Sequence, residues 1–123
     1  MDGMISELFI FLVFVHFVAD FALQSEFMAK YKQESWFIMT VHCIIWTGSI
    51  ILALMWYKGF HHLSEVSGLV SIWLLYVGHY LCDSFKCYFI NGTEWGKRNI
   101  KHLFHADQVF HLIQLLIVAC IYG

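Results

Sequence analysis

Apolar residues run in four long stretches, roughly Met4 to Leu23, Trp36 to Tyr57, Val66 to Cys87 and Leu103 to Tyr122, separated by short polar connectors. Each stretch is close to the ~20 residues a helix needs to cross a bilayer. The pattern predicts an all-α fold, a four-helix transmembrane bundle with antiparallel up-down topology. Residues 1–123 form one integral-membrane domain, because the connectors are short enough for consecutive helices to be neighbours. Proline is absent, which removes the commonest source of sharp kinks and predicts regular helices. The first stretch lacks a basic leader and carries His16 and Asp20, so it is expected to be a retained helix and not a cleaved signal.

Composition agrees with the pattern. At 60% hydrophobic and 13% charged, the 123 residues hold too few polar side chains to cover a soluble globule of that size. A net charge of −2, with no basic cluster interleaved with stacking aromatics, sets nucleic-acid binding aside. The cysteines Cys43, Cys82, Cys87 and Cys120 show no CxxC spacing and are read as small hydrophobes, not as a disulfide framework. Trp36, Trp46, Trp56, Trp73 and Trp95 read as interfacial anchors and packing. Gly48, Ser49, Ala53, Gly68, Ser71 and Gly78 would allow close helix approach.

Basic residues crowd two connectors: Lys30 and Lys32 in the first, and Lys86, Lys97, Arg98 and Lys101 in or beside the third, against Lys58 alone in the second. By the positive-inside rule the first and third connectors are cytoplasmic and both termini lie outside the cytoplasm. In the third, Asn91-Gly92 predicts a turn, followed by a basic and aromatic run along the headgroup surface.

Polar side chains inside the apolar stretches carry the chemistry. His16 precedes Asp20 by four, His79 precedes Asp83 by four, and in the last stretch the order reverses, with Asp107 four before His111. Residues four apart share one face of a helix. With a rise of ~1.5 Å per residue, the aspartates fall roughly 4 to 8 Å from the cytoplasmic boundary and the histidines, including the single His42, roughly 10 to 14 Å. The helix running the opposite way must invert its motif to keep both layers, and it does. Four positions before His42 stands Ile38, so the second helix adds no acid.

Three intramembrane aspartates cost on the order of 2.5 to 3.5 kcal/mol each. The one cation close in sequence, Lys86, either pairs with Asp83 or snorkels to the headgroups. A divalent metal would offset the excess, since structural zinc yields roughly 10 to 16 kcal/mol. His16, Asp20, His42, His79, Asp83, Asp107 and His111 are the expected ligands. Seven donors exceed the usual four, so one or two ions are expected per chain: zinc, manganese or iron by the nitrogen and oxygen donor set. Gln24, Gln108 and Lys86 are placed around the metal or substrate as orienting groups, with Ser84 beside Asp83 as a further candidate. His61, His62, His102 and His105 are expected to be solvated or interfacial.

The segments HFVADFALQ, HYLCDSFK and DQVFH, with His42 between the first two, resemble a family of small bacterial and phage integral membrane proteins known as domain of unknown function 3307. The likeness covers nearly the whole chain and marks His16, Asp20, Gln24, His42, His79, Asp83, Lys86, Asp107, Gln108 and His111. It implies a bacterial inner membrane setting and states no activity. A looser similarity is to small membrane-bound metal-dependent hydrolases, although their His-Thr-His-Ser type box is missing here.

Three functions are compatible with these residues. In the first, a metal-dependent hydrolase acts on a phosphoester or lipid-derived substrate at the cytoplasmic face, with Asp20, Asp83 and Asp107 as catalytic carboxylates. In the second, a divalent-cation or proton transporter uses the acid and histidine chain, which in so narrow a bundle would require a homo-oligomer. In the third, a structural metal staples a protein that engages membrane lipid or a host membrane protein.

Overall fold

The computed structural model of the protein describes residues 3–23, 25–32, 34–59 and 66–122. Among them all regular structure is helical. Helix α1 (Gly3–Phe17) runs into a π-helical turn (Val18–Ala22), and a short α2 (Glu26–Tyr31) leads to α3 (Trp36–Lys58). Then come α4 (Val66–Gly92), a single turn α5 (Glu94–Arg98) and α6 (Ile100–Tyr122). Four segments are long and apolar enough to cross a membrane: Gly3–Ala22, Trp36–Lys58, Val66–Gly92 and Ile100–Tyr122, with mean hydropathy between 1.2 and 2.0.

The termini of these elements follow local chemistry. Ser25 and Ser35 cap α2 and α3, their hydroxyls accepting from the amides of Met28 (3.1 Å) and Ile38 (3.5 Å). Helix α3 stops at Gly59, whose φ of 93° is open to glycine and strained for other residues.

Two expectations about local structure change. The helix α4 continues through Asn91 and Gly92, and the chain turns only at Thr93. Thr93 Oγ1 donates to the Phe89 carbonyl (2.7 Å) and accepts from the Gly96 amide (2.9 Å), so the threonine, not the Asn-Gly pair, directs the turn. A Cβ at Gly96 would overlap the Phe89 carbonyl, which is why α5 sits directly on the end of α4. The expectation of regular helices also fails in one place. The π turn, with Leu23 N bonded to Val18 O at 3.0 Å, widens the end of the first span around Asp20 without any proline.

The spans pack in a ring in which α1 touches α3 and α6, and α4 touches α3 and α6. Their antiparallel sense is visible at both ends: Lys58 Nζ on α3 lies 3.5 Å from Met4 Sδ at the start of α1, and His16 near the end of α1 meets Gln108 near the start of α6. Large apolar side chains such as Ile10, Phe14, Leu52, Trp56, Val70, Trp73 and Ile113 face outward, the arrangement a lipid solvent rewards and water does not. Inside, Leu8, Leu12, Ile50, Leu54, Leu75, Leu115 and Val118 form a dry core in one half of the bundle. The other half is polar. Gly78 joins the two halves, since a Cβ there would strike the side-chain amide of Gln114, which therefore approaches the α4 backbone closely.

Candidate metal centre

His16, Asp20, His42, His79, Asp83, Asp107 and His111 are all buried in the polar half. The i, i+4 geometry holds in each pair: His16 Nδ1 to Asp20 Oδ2 is 3.7 Å, His79 Nε2 to Asp83 Oδ2 is 3.5 Å, and His111 Nε2 to Asp107 Oδ1 is 3.1 Å. Contacts between helices tie the pairs together. His42 Nε2 lies 3.0 Å from Asp83 Oδ2, 3.8 Å from Asp20 Oδ1 and 2.9 Å from His79 Nε2, so in the last contact one imidazole donates and the other accepts.

Two lysines enter this cluster. Lys86 does not snorkel: its ammonium donates to Asp107 Oδ2 (2.8 Å) and to Asp83 Oδ1 (3.3 Å). Lys32, read from the sequence only as a topology signal, reaches Asp83 Oδ2 at 3.3 Å across 51 positions of chain. Two ammonium groups face three carboxylates, so one negative charge stays uncompensated when the imidazoles are neutral.

Hydrogen-bond logic fixes the state of two histidines. An indole N–H only donates. Trp46 Nε1 donates to His16 Nδ1 (2.9 Å), so His16 carries its proton on Nε2 and donates it to Gln108 Oε1 (2.9 Å). Gln108 in turn donates to Asp107 Oδ2 at 3.5 Å, placing it beside the acids as expected. Both His16 nitrogens are thus engaged, and His16 positions Gln108 and Trp46. On α6, Gln114 donates to the carbonyls of Leu74 (2.9 Å) and Leu75 (3.5 Å), which turns its Oε1 toward His111 Nδ1 (3.0 Å). His111 therefore holds its proton on Nδ1, and Nε2 faces the carboxylates with no aligned hydrogen bond. A ring nitrogen 3.1 Å from a carboxylate oxygen calls for a cation between them, a proton or a metal ion.

Trp46 is the floor of the site. Its ring stacks on His79 at 4.2 Å, His79 stacks on His111 at 4.2 Å, and His16 meets the indole edge-on at 5.7 Å. Among the described residues, three groups of donors lie close enough to hold an ion: Asp20, His42 and His79; His79, Asp83 and His111; and Cys82, Asp107 and His111. The donor set and the orphaned His111 nitrogen fit a divalent metal. Above it, a cavity of about 70 Å³ is lined by Asp20, Phe21, Lys32, Asp83, Lys86, Phe104, Asp107 and Gln108.

Other sequence candidates fall elsewhere. Ser84 lines a groove between α3 and α4 with Trp36 and Tyr88. His102 and His105 are exposed, as are Arg98 and Lys101. Gln24, His61 and His62 lie outside the described residues. Lys32, Trp46, Cys82 and Gln114 were not anticipated at the site, yet three of them had a signal: Trp46 is four after His42, and Cys82 and Gln114 are each three after a site histidine.

The fold and site together define an all-α bundle with four helices long and apolar enough to cross a membrane and a buried cluster of histidines and aspartates that could hold a metal ion. The chain belongs to the family described as Protein of unknown function (DUF3307), which it matches over residues 8–123. No curated protein and no solved structure matches it.

Proposed function

We propose that the protein is a membrane-embedded, metal-dependent hydrolase acting on a phosphoester or lipid-derived substrate at the cytoplasmic face, with both termini on the opposite side. The observation that supports this best is the cavity itself. A small cavity lined by the carboxylates of Asp20, Asp83 and Asp107 carries Lys32 and Lys86 in its wall, with the rings of Phe21 and Phe104 beside them. Ammonium groups at that position suit an anionic oxygen, and aromatic rings suit an attached apolar chain.

A bound divalent ion would bring the pKa of water toward ~7 and polarise the scissile oxygen. His79, Asp83 and His111, or Asp107 with His111, are the residues that would hold it. Asp20, in the cavity wall 3.8 Å from His42, is the carboxylate available to take a proton, and His42 can share it. Lys86 keeps Asp107 oriented through its 2.8 Å bond.

Transport is less well supported, because Leu8, Leu12, Ile50, Leu54, Leu75, Leu115 and Val118 fill the half of the bundle beyond the imidazoles with a mainly apolar core, interrupted by the buried hydroxyls of Thr47 and Ser71 but with no charged side chain among its buried residues.

The test is phosphate release from phosphoester lipids by the purified protein in nanodiscs with added zinc or manganese. Wild type is expected to turn over and Asp20→Asn to lose about 10²- to 10⁴-fold while keeping its metal and its melting behaviour. No turnover by wild type on any phosphoester, or undiminished turnover by Asp20→Asn, would overturn the proposal.

A further inference from the structure

Cys82 differs from the other cysteines. Cys43 and Cys87 pack against Met39 in a small apolar cluster, and Cys120 is exposed on the outer face of α6. Cys82 instead points its sulfur at the acids, with Sγ 3.2 Å from Asp107 Oδ1. On α4 it continues the polar stripe of His79, Asp83 and Lys86 at intervals of three and four residues.

The geometry points to a thiolate-bearing metal site in the α4 and α6 seam, made by Cys82 Sγ, Asp107 Oδ1 and His111 Nε2, with Asp83 Oδ1 as the nearest fourth donor. It rests on the metal-binding part of the function proposed above and narrows the ion to a thiophilic divalent cation of the zinc class. Two independent observations meet here. The sulfur, carboxylate and imidazole lie within 4.8 Å of one another. The fully buried His111 Nε2 has no hydrogen-bond partner and is held toward that point by Gln114.

The dimensions agree. Zinc bonds of about 2.3 Å to sulfur and about 2.0–2.2 Å to nitrogen and oxygen place tetrahedral ligands roughly 3.3 to 3.6 Å apart. The Cys82 to Asp107 and His111 to Asp107 separations are 3.2 and 3.1 Å, and His111 Nε2 to Asp83 Oδ1 is 3.7 Å. An opening of a few tenths of an ångström about Asp107 Oδ1 brings its two pairs to that spacing. The supporting contacts are also in place: Gln114 sets the His111 ring, and Lys86 donates to the other oxygen of Asp107, Oδ2, while its longer 3.3 Å contact to Asp83 Oδ1 would give way to the ion. Binding displaces the thiol proton to solvent, leaving the thiolate as ligand. A thiolate ligand disfavours manganese, magnesium and calcium, which prefer oxygen-only shells.

The experiment is cobalt(II) titration of the full-length, metal-stripped protein in detergent, read by absorption. Wild type is expected to show a near-ultraviolet sulfur-to-cobalt charge-transfer band together with tetrahedral visible bands. The triple variant Cys43→Ser, Cys87→Ser, Cys120→Ser is expected to keep the band. Cys82→Ser is expected to lose it and to bind cobalt at least about 100-fold more weakly, and Gln114→Ala to keep it with affinity reduced about 10- to 100-fold. Cobalt bound by wild type without a charge-transfer band, or a band that survives in Cys82→Ser, overturns the thiolate site while leaving metal binding by the histidines and aspartates standing. Failure of wild type to bind cobalt overturns both.

Discussion

Asp83→Ala is expected to lower the stability of the purified protein by about 3–5 kcal/mol, the range found when one partner of a buried ionic cluster is removed. Asp83 is 1% exposed and is the point where the site converges. Lys32, Lys86, His42, His79 and His111 all lie within 3.7 Å of its two oxygens. Taking the carboxylate away leaves the Lys32 ammonium without that partner and Lys86 with Asp107 alone among the acids. Denaturant unfolding of detergent-solubilised protein checks the value. The cause can be separated from cavity formation by adding Lys32→Met and Lys86→Met to Asp83→Ala, which removes the two cations that Asp83 balances and should recover part of the loss. A loss below about 1 kcal/mol for Asp83→Ala, the ceiling for an exposed pair, would show that the cluster is not held by this carboxylate.

Trp46→Ala should be comparably damaging, at about 3–5 kcal/mol, through a different mechanism. The indole is fully buried, packs with Leu8, Leu12 and Ile50 on its apolar side and carries His79 on its face. Its truncation opens a void between the apolar core and the imidazoles of His16 and His79. Trp46→Phe separates the contributions. The phenyl ring keeps the platform but leaves His16 Nδ1 as a buried acceptor without its donor, a penalty of about 1–3 kcal/mol. If Phe and Ala cost the same, the hydrogen bond to His16 outweighs the platform. If Phe costs nothing, the His16 tautomer is set by something other than Trp46.

Legibility in the sequence followed the physical range of each signal. Four apolar stretches of helical length suffice for the four spans, and the inverted Asp107 and His111 order in the last one suffices to bring three acids and their histidines to one level, because both rest on a repeat within a single helix. Lys32 was out of reach, since its 3.3 Å approach to Asp83 requires the short α2 and the following turn to lead the chain back over the bundle. The π turn at Asp20 left no mark because neither proline nor glycine causes it. Trp46, Cys82 and Gln114 were overlooked for a different reason. Indole, thiol and amide side chains inside a membrane are usually packing, and only the hydrogen-bond requirements of neighbouring imidazoles reveal them as parts of a site. Lys86 had two possible fates, and the excess of carboxylates over cations decided for pairing.

The remaining uncompensated negative charge and the orphaned His111 nitrogen require a cation, and the choice between a metal ion and a proton decides what this protein is. Elemental analysis of the purified wild-type protein, with its melting temperature recorded before and after chelation, separates the two. The expected result is about one to two zinc-class ions per chain, removed by chelator together with a marked fall in melting temperature and absent from His111→Ala. A wild-type preparation that carries no divalent metal, and whose melting temperature responds to neither chelator nor added zinc, would mean that a proton alone satisfies the centre.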